Sequence, residues 1–167
     1  MAIHKIDGVD AVDGGSQISS FPKKFVTLHG VAAIAKGAWV RIDLDSSDAS
    51  KNGLGASVEE SPAATAAGDP LVFGVATEAI TAAGEIKIQT AGLYGDGTTG
   101  GGALTDGGVA AGAPLCAGDD GTAGQIDTYE AGTHTNANIC GVALTADGAG
   151  DYGANEATVM IVDQGFF

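Results

Sequence analysis

The stretch "VFGVATEA" at residues 72–79 returns as "ICGVALTA" at residues 139–146. Each copy is a short apolar run, then Gly-Val-Ala, then a connector of small residues. Such a repeat could be a duplicated catalytic loop, a duplicated binding site or a duplicated strand, and the flanking sequence decides between them. Downstream, "AGEIKIQTAGLY" at 83–94 is matched by "ANEATVMIVDQGFF" at 154–167, both ending Gly, apolar, aromatic. Upstream, "AKGAWVRI" at 35–42 is matched by "AAGAPLCA" at 110–117, each placing a small-Gly-Ala step ahead of an apolar run.

Each half therefore reads as strand, loop, strand, tight turn, strand. "FVTLH" at 25–29, "WVRID" at 39–43, "LVFGVA" at 71–76, "EIKIQ" at 85–89, "QIDTY" at 125–129, "NICGVA" at 138–143 and "ATVMIV" at 157–162 are short and β-branched or aromatic. They are bounded by Gly, Asp, Asn or Pro, the signature of strands. The fold class is all-β: a small β-barrel or β-sandwich with two similar halves, long Gly-rich loops and an N-terminal arm. The organisation expected is an arm at 1–24 and one β domain at 25–167, with the repeat at 25–94 and 107–167. Residues 95–106 connect the halves, and the wider stretch from Gly92 to Gly112 reads as a flexible connector or Ω-type loop. "SPAATAAGDP" at 61–70 is bracketed by Pro62 and Pro70 and reads as a loop. Ile3, Ile6, Val9 and Val12 suit a short helix or an extended arm about equally.

The material for a core is thin. Val, Ile, Leu and Phe total 36 of 167 residues, beside 28 Gly and 30 Ala. That is near the roughly 20% floor below which a strongly charged chain stays disordered. Association with further copies would add buried apolar area, and Phe166 and Phe167 are the candidate self-association residues.

The net charge of −14 is unevenly spread. The first 87 residues hold all seven basic residues and eleven acids; residues 88–167 hold ten acids and no Lys or Arg. A nucleic-acid partner needs clustered cations to displace condensed counterions, and an anionic membrane needs the same, so neither is expected. No apolar segment has the length of a signal h-region or a membrane span, so synthesis in a cytoplasm is expected.

Motifs for chemistry fail on context. "GDGTTG" at 95–100 satisfies G-x-G-x-x-G after a strand, but "GGALTDGGVAAG" cannot start the helix that would hold a pyrophosphate. "DLDSSDASKNG" at 43–53 begins like a calcium loop, yet Ser47, Asp48 and Leu54 occupy its fifth, sixth and twelfth positions. His4, His29 and His134 lack partners at zinc-ligand spacing. No G-x-S-x-G elbow occurs. Glu59 and Glu60 read as members of a polar loop, without the desolvation that tunes a general acid. Cys116 and Cys140 form no C-x-x-C motif; Cys140 stands where Phe73 stands in the other copy and reads as a buried small hydrophobe, a Cys116–Cys140 bridge being the alternative. Neither an enzyme nor a cofactor or metal site is expected.

The Gly/Ala-rich acidic β chain, the "GVA" repeat, "AAGEIKIQTAGLY" and the Phe166-Phe167 ending together resemble the small head-decoration, or capsid-cement, proteins of tailed bacteriophages. The resemblance covers roughly residues 25–167. It implies a non-enzymatic virion protein on the capsid exterior, often a homotrimer, that ties major capsid subunits together. The cations Lys5, Lys23, Lys24, Lys36 and Arg41 are then the expected contacts with an acidic capsid, while the anionic second half faces solvent. Alternatives are a tail, fibre or adhesin module, or a carbohydrate-binding β module. The last normally displays several stacking aromatics, whereas Trp39 lies within a strand pattern and reads as core.

Overall fold

A computed structural model of the chain describes residues 22–43, 57–62, 69–117, 122–135 and 137–165. Among these there is no helix, and eleven strands follow one another: β1 (Lys24–Gly30), β2 (Trp39–Ile42), β3 (Ser57–Glu60), β4 (Val72–Ala76), β5 (Gly84–Tyr94), β6 (Ala103–Leu104), β7 (Pro114–Cys116), β8 (Asp127–Thr128), β9 (Gly141–Ala143), β10 (Glu156–Ala157) and β11 (Val159–Ile161). The all-β expectation holds, in barrel form.

The first five strands close on themselves. The order β1-β3-β2-β4-β5 is completed by pairing of β5 with β1 over their length, from Gly30↔Gly84 to Lys24↔Ala91. Only the β1–β3 contact is parallel. Inside this barrel Ile34, Val40, Val58, Phe73, Ile86 and Ile88 form one core.

The second half repeats the circuit in shorter strands. β7, β9 and β11 pair in the order of β2, β4 and β5, and β8 flanks β7 as β3 flanks β2. β6 pairs antiparallel with β10, as β1 does with β5. A single parallel bridge, Thr105↔Ile126, stands in for the β1–β3 contact and closes the circuit. Three pairs of hydrogen bonds show the match. Gly37 N donates to Ala76 O at 2.9 Å and Gly112 N to Ala143 O at 2.7 Å; Val31 N donates to Val58 O and Asp106 N to Ile126 O; Thr77 N donates to Lys87 O and Leu144 N to Thr158 O. Gly37 and Gly112 both adopt positive φ, +82° and +86°, which explains the conserved spelling of that turn within the chain. The two circuits join where β5 runs past the first barrel and pairs with β11, Tyr94 opposite Val159 and Gly92 opposite Ile161. The repeat in the sequence is thus a duplicated strand framework.

A second core, with Leu115, Ile126, Cys140, Val159 and Ile161, fills the second half, and Trp39, Val72, Val75 and Tyr94 from the first half reach into it. Trp39 is fully buried, as its strand pattern predicted. It lies over Gly141, where an added Cβ would fall 2.9 Å from Cη2 of the indole. Cys140 and Phe73, equivalent by sequence, are buried in the two different cores. No disulfide joins Cys116 and Cys140.

Several expectations need correction. Glu59 and Glu60 belong to strand β3. The stretch from Gly92 to Gly112 is not a continuous connector: its start completes β5, and β6 lies inside the 95–106 segment as the counterpart of the end of β1. "ATVMIV" is interrupted at Thr158 between β10 and β11. Of the arm at 1–24, residues 1–21 lie outside the described residues, and Lys24 already belongs to β1.

Candidate functional site

The sequence offered cations, so their placement comes first. Arg41 on β2 is engaged within the fold. Its Nε donates to Glu59 Oε1 at 2.8 Å, its Nη1 to Asp69 Oδ2 at 2.7 Å, and Asp69 is only 5% exposed. A guanidinium suits this two-carboxylate bridge because its donors form a rigid fork. Lys24 is exposed and pairs with Asp163, so the first and last strands of the described chain meet at one ion pair. Lys5, Phe166 and Phe167 lie outside the described residues.

Lys23 and Lys36 come together. With Phe25, Thr77, Gln89, Tyr94, Gly95, Asp96 and Gly101 they line an open groove of about 260 Å³ on the first barrel. Three local structures build it. The first is the start of β1, which brings Phe25 opposite Gln89. The second is the Gly37 turn, which carries Lys36 at its shoulder. The third is the loop after β5, fixed by its own polar contacts: Asp96 Oδ1 accepts from Thr98 N at 3.0 Å and from Thr98 Oγ1 at 2.7 Å. These bonds, and more weakly the Lys36 charge, hold the Asp96 carboxyl below its usual range. The same loop is tied to the second half. Gly97 N donates to the Tyr152 hydroxyl at 2.8 Å, and Gly100 N to both Glu156 carboxylate oxygens at 2.9 and 3.0 Å.

Gln89 and Tyr94 make the floor. Gln89 Nε2 donates to the carbonyls of Ala91 and Leu93, and the Tyr94 hydroxyl donates to Ala76 O at 3.1 Å. Burial, with smaller contributions from the Asp96 and Glu156 carboxylates, pushes the Tyr94 phenol up to about 12. On the rim Phe25 is 46% exposed, the largest of four exposed large hydrophobic side chains among the described residues. Lys87 Nζ lies 4.6 Å from the centroid of its ring, within cation–π range.

Phe25 escaped the site reading because in "FVTLH" it reads as one more strand residue. The signal that could have found it is its neighbours, Lys23 and Lys24. Elsewhere, "GDGTTG" is followed by a turn and β6 rather than a helix. Most of the 43–53 acidic stretch lies outside the described residues. No group of three His, Cys, Asp or Glu among the described residues could hold a metal ion. No helix there is long and apolar enough to cross a membrane. Burial, chiefly, holds the Cys140 thiol well above its ordinary value, so it lacks the thiolate character of a nucleophile. No protein-family model matches the chain, and no curated protein matches it in sequence.

Proposed function

We propose that the chain is a structural virion protein that binds the outside of an assembled phage capsid and stabilises it by bridging major capsid subunits, as a self-associating, trimeric decoration protein. The observation that carries the reading is polarity. Lys23 and Lys36 line the Phe25 groove and Lys87 lies on the Phe25 ring, on a chain whose residues 88–167 contain acids and no Lys or Arg. A cationic, partly apolar patch on a chain of net charge −14 suits a protein that docks in one orientation on an acidic lattice. Lys23 and Lys36 form its contact, with Lys5 and Lys24 as further cations on the same chain segment. Arg41 is engaged by Glu59 and Asp69 within the fold, and Lys24 by Asp163.

Each exposed ion pair contributes only about 0–1 kcal/mol, so retention on a shell depends on many copies and on subunit bridging. The test is to mix purified protein with expanded shells that lack it, sediment them, and image the pellet by electron microscopy. Ordered density at repeated positions on the shell exterior is expected, weakening as salt rises. Protein that stays in the supernatant at low salt would refute the reading.

A further inference from the structure

We propose that the Phe25 groove is a recognition site for an acidic, extended segment of the shell protein, one apolar side chain of which lies on the Phe25 ring while its carboxylates reach Lys23 and Lys36. The identity of the partner rests on the shell-binding reading above; the chemistry of the segment rests on the groove.

The duplication supplies an internal control. The second half repeats the strand framework in shorter form, yet the groups that give the groove its character are not repeated in it. From the matched hydrogen bonds, Ala111 stands in the place of Lys36, Thr158 in that of Lys87 and Leu144 in that of Thr77. The chain ahead of β6 is a turn, with Gly100 at positive φ and Thr98 bridged to Asp151, so the second half has no strand there and no counterpart of Lys23 or Phe25. The framework therefore does not require these residues. A lysine cluster around a half-exposed phenylalanine, in one copy only, is an addition to the fold.

Charge selects the partner. Asp96 lies in the groove, but two hydrogen bonds from Thr98 occupy its Oδ1. Asp163 is taken by Lys24. Among the described residues Lys23 and Lys36 make no ion pair, although the Lys36 charge is felt by Asp96, and both line the same open groove. Size then decides between a metabolite and a side chain. Pockets for small molecules run from about 300 to 1,000 Å³, and at about 260 Å³ this open groove falls below them. It has room for one bulky side chain with flanking polar groups, the pattern of a peptide anchor.

The experiment uses the full chain and a fluorescently labelled oligoglutamate peptide carrying a single phenylalanine, with an oligoglutamine peptide of equal length as control. Fluorescence anisotropy should show binding of the acidic peptide only, weakening with salt. The double variant Lys23→Glu/Lys36→Glu should lose about tenfold or more in affinity, Phe25→Ser severalfold, and Ala111→Glu, at the equivalent turn of the second half, less than about twofold. Circular dichroism checks that each variant keeps its β spectrum, and Lys23→Ala/Lys36→Ala replaces the charge reversal if that one does not fold. Three results would overturn the proposal: equal binding of both peptides, unchanged affinity in the lysine variants, or a drop in oligomer mass on the lysine substitutions, which would place a second copy of this chain in the groove. Co-sedimentation with shells separates the two readings. Shells that take up wild type and the lysine variant equally would keep decoration and remove this site. Peptide binding without shell binding would keep the acidic-segment site and remove its assignment to a shell.

Discussion

Gly74 and Gly141 hold the same place in the two copies, and the reason is steric. A Cβ on Gly74 would fall 2.7 Å from both the Gln89 carbonyl oxygen and Ile88 Cγ2; on Gly141 it would fall 3.1 Å from the equivalent carbonyl, that of Met160. Gly74 faces backbone at the shorter distance, so Gly74→Val should cost more than Gly141→Val, both within or somewhat above the about 1–3 kcal/mol typical of overpacking. Urea unfolding followed by circular dichroism measures the two, and equal stability of Gly74→Val and wild type would contradict the crowding. Tyr94 provides a second residue-scale expectation. Its folded pKa, about 12, exceeds the ordinary value of 10, so the folded state holds this proton more tightly than the unfolded chain. Its contribution is fully present below pH 10 and is lost as the pH rises through about 12. Ultraviolet titration should show one late phenolate step that disappears in Tyr94→Phe. These residues differ in legibility. The glycines could be read because the chain spells them twice in one context, whereas the Tyr94 environment comes first from burial in the fold and then from Asp96 and Glu156, the latter far away in sequence.

At the scale of elements, long apolar strands were visible and short polar ones were not. β4 and β5 announce themselves with Val, Phe and Ile. β3, "SVEE", turns Ser57 and Val58 inward and leaves its two glutamates partly exposed, so its sequence resembles a loop. β6 has two residues between glycine-rich flanks and could be found only through its partner β10. Arg41 looked like a free cation because its carboxylates lie 18 and 28 positions away. β2 also carries a side-chain tie between the halves, since Trp39 leaves the first barrel and packs in the second core. Trp39→Ala should therefore cost about 3–5 kcal/mol, as large aromatic deletions in cores do. The loss should fall on the second half first, seen as earlier amide exchange at Gly141–Ala143 and Val159–Ile161 than at Val72–Ala76. Uniform acceleration across both halves would show that the indole is not a local tie.

For the whole molecule, duplication explains how a chain with so few large side chains builds two cores. Each circuit needs only a handful of buried aliphatics, because small residues let strands approach closely and β5 serves both halves. The sequence made the two-half plan and the all-β class readable; it hid how the halves join, since the β5–β11 pairing leaves no local mark in "AGLY" or "VMI". The charge distribution was readable too, but its concentration around Phe25 was not, because Lys36 and Lys87 come from separate turns and strands.

The ion pair between Lys24 and Asp163 has a use in protein engineering. It places the entry of the first strand beside the exit of the last, so a short linker between those points would replace a noncovalent contact with a covalent one. A new opening could then be cut at Gly132, where a Cβ would meet nothing within 4 Å. The resulting circular permutant would have both of its free ends at Gly132, between β8 and β9. Cargo fused to them would hang from a loop that does not line the Phe25 groove, whereas cargo fused beside Lys24 would adjoin Lys23 and Phe25.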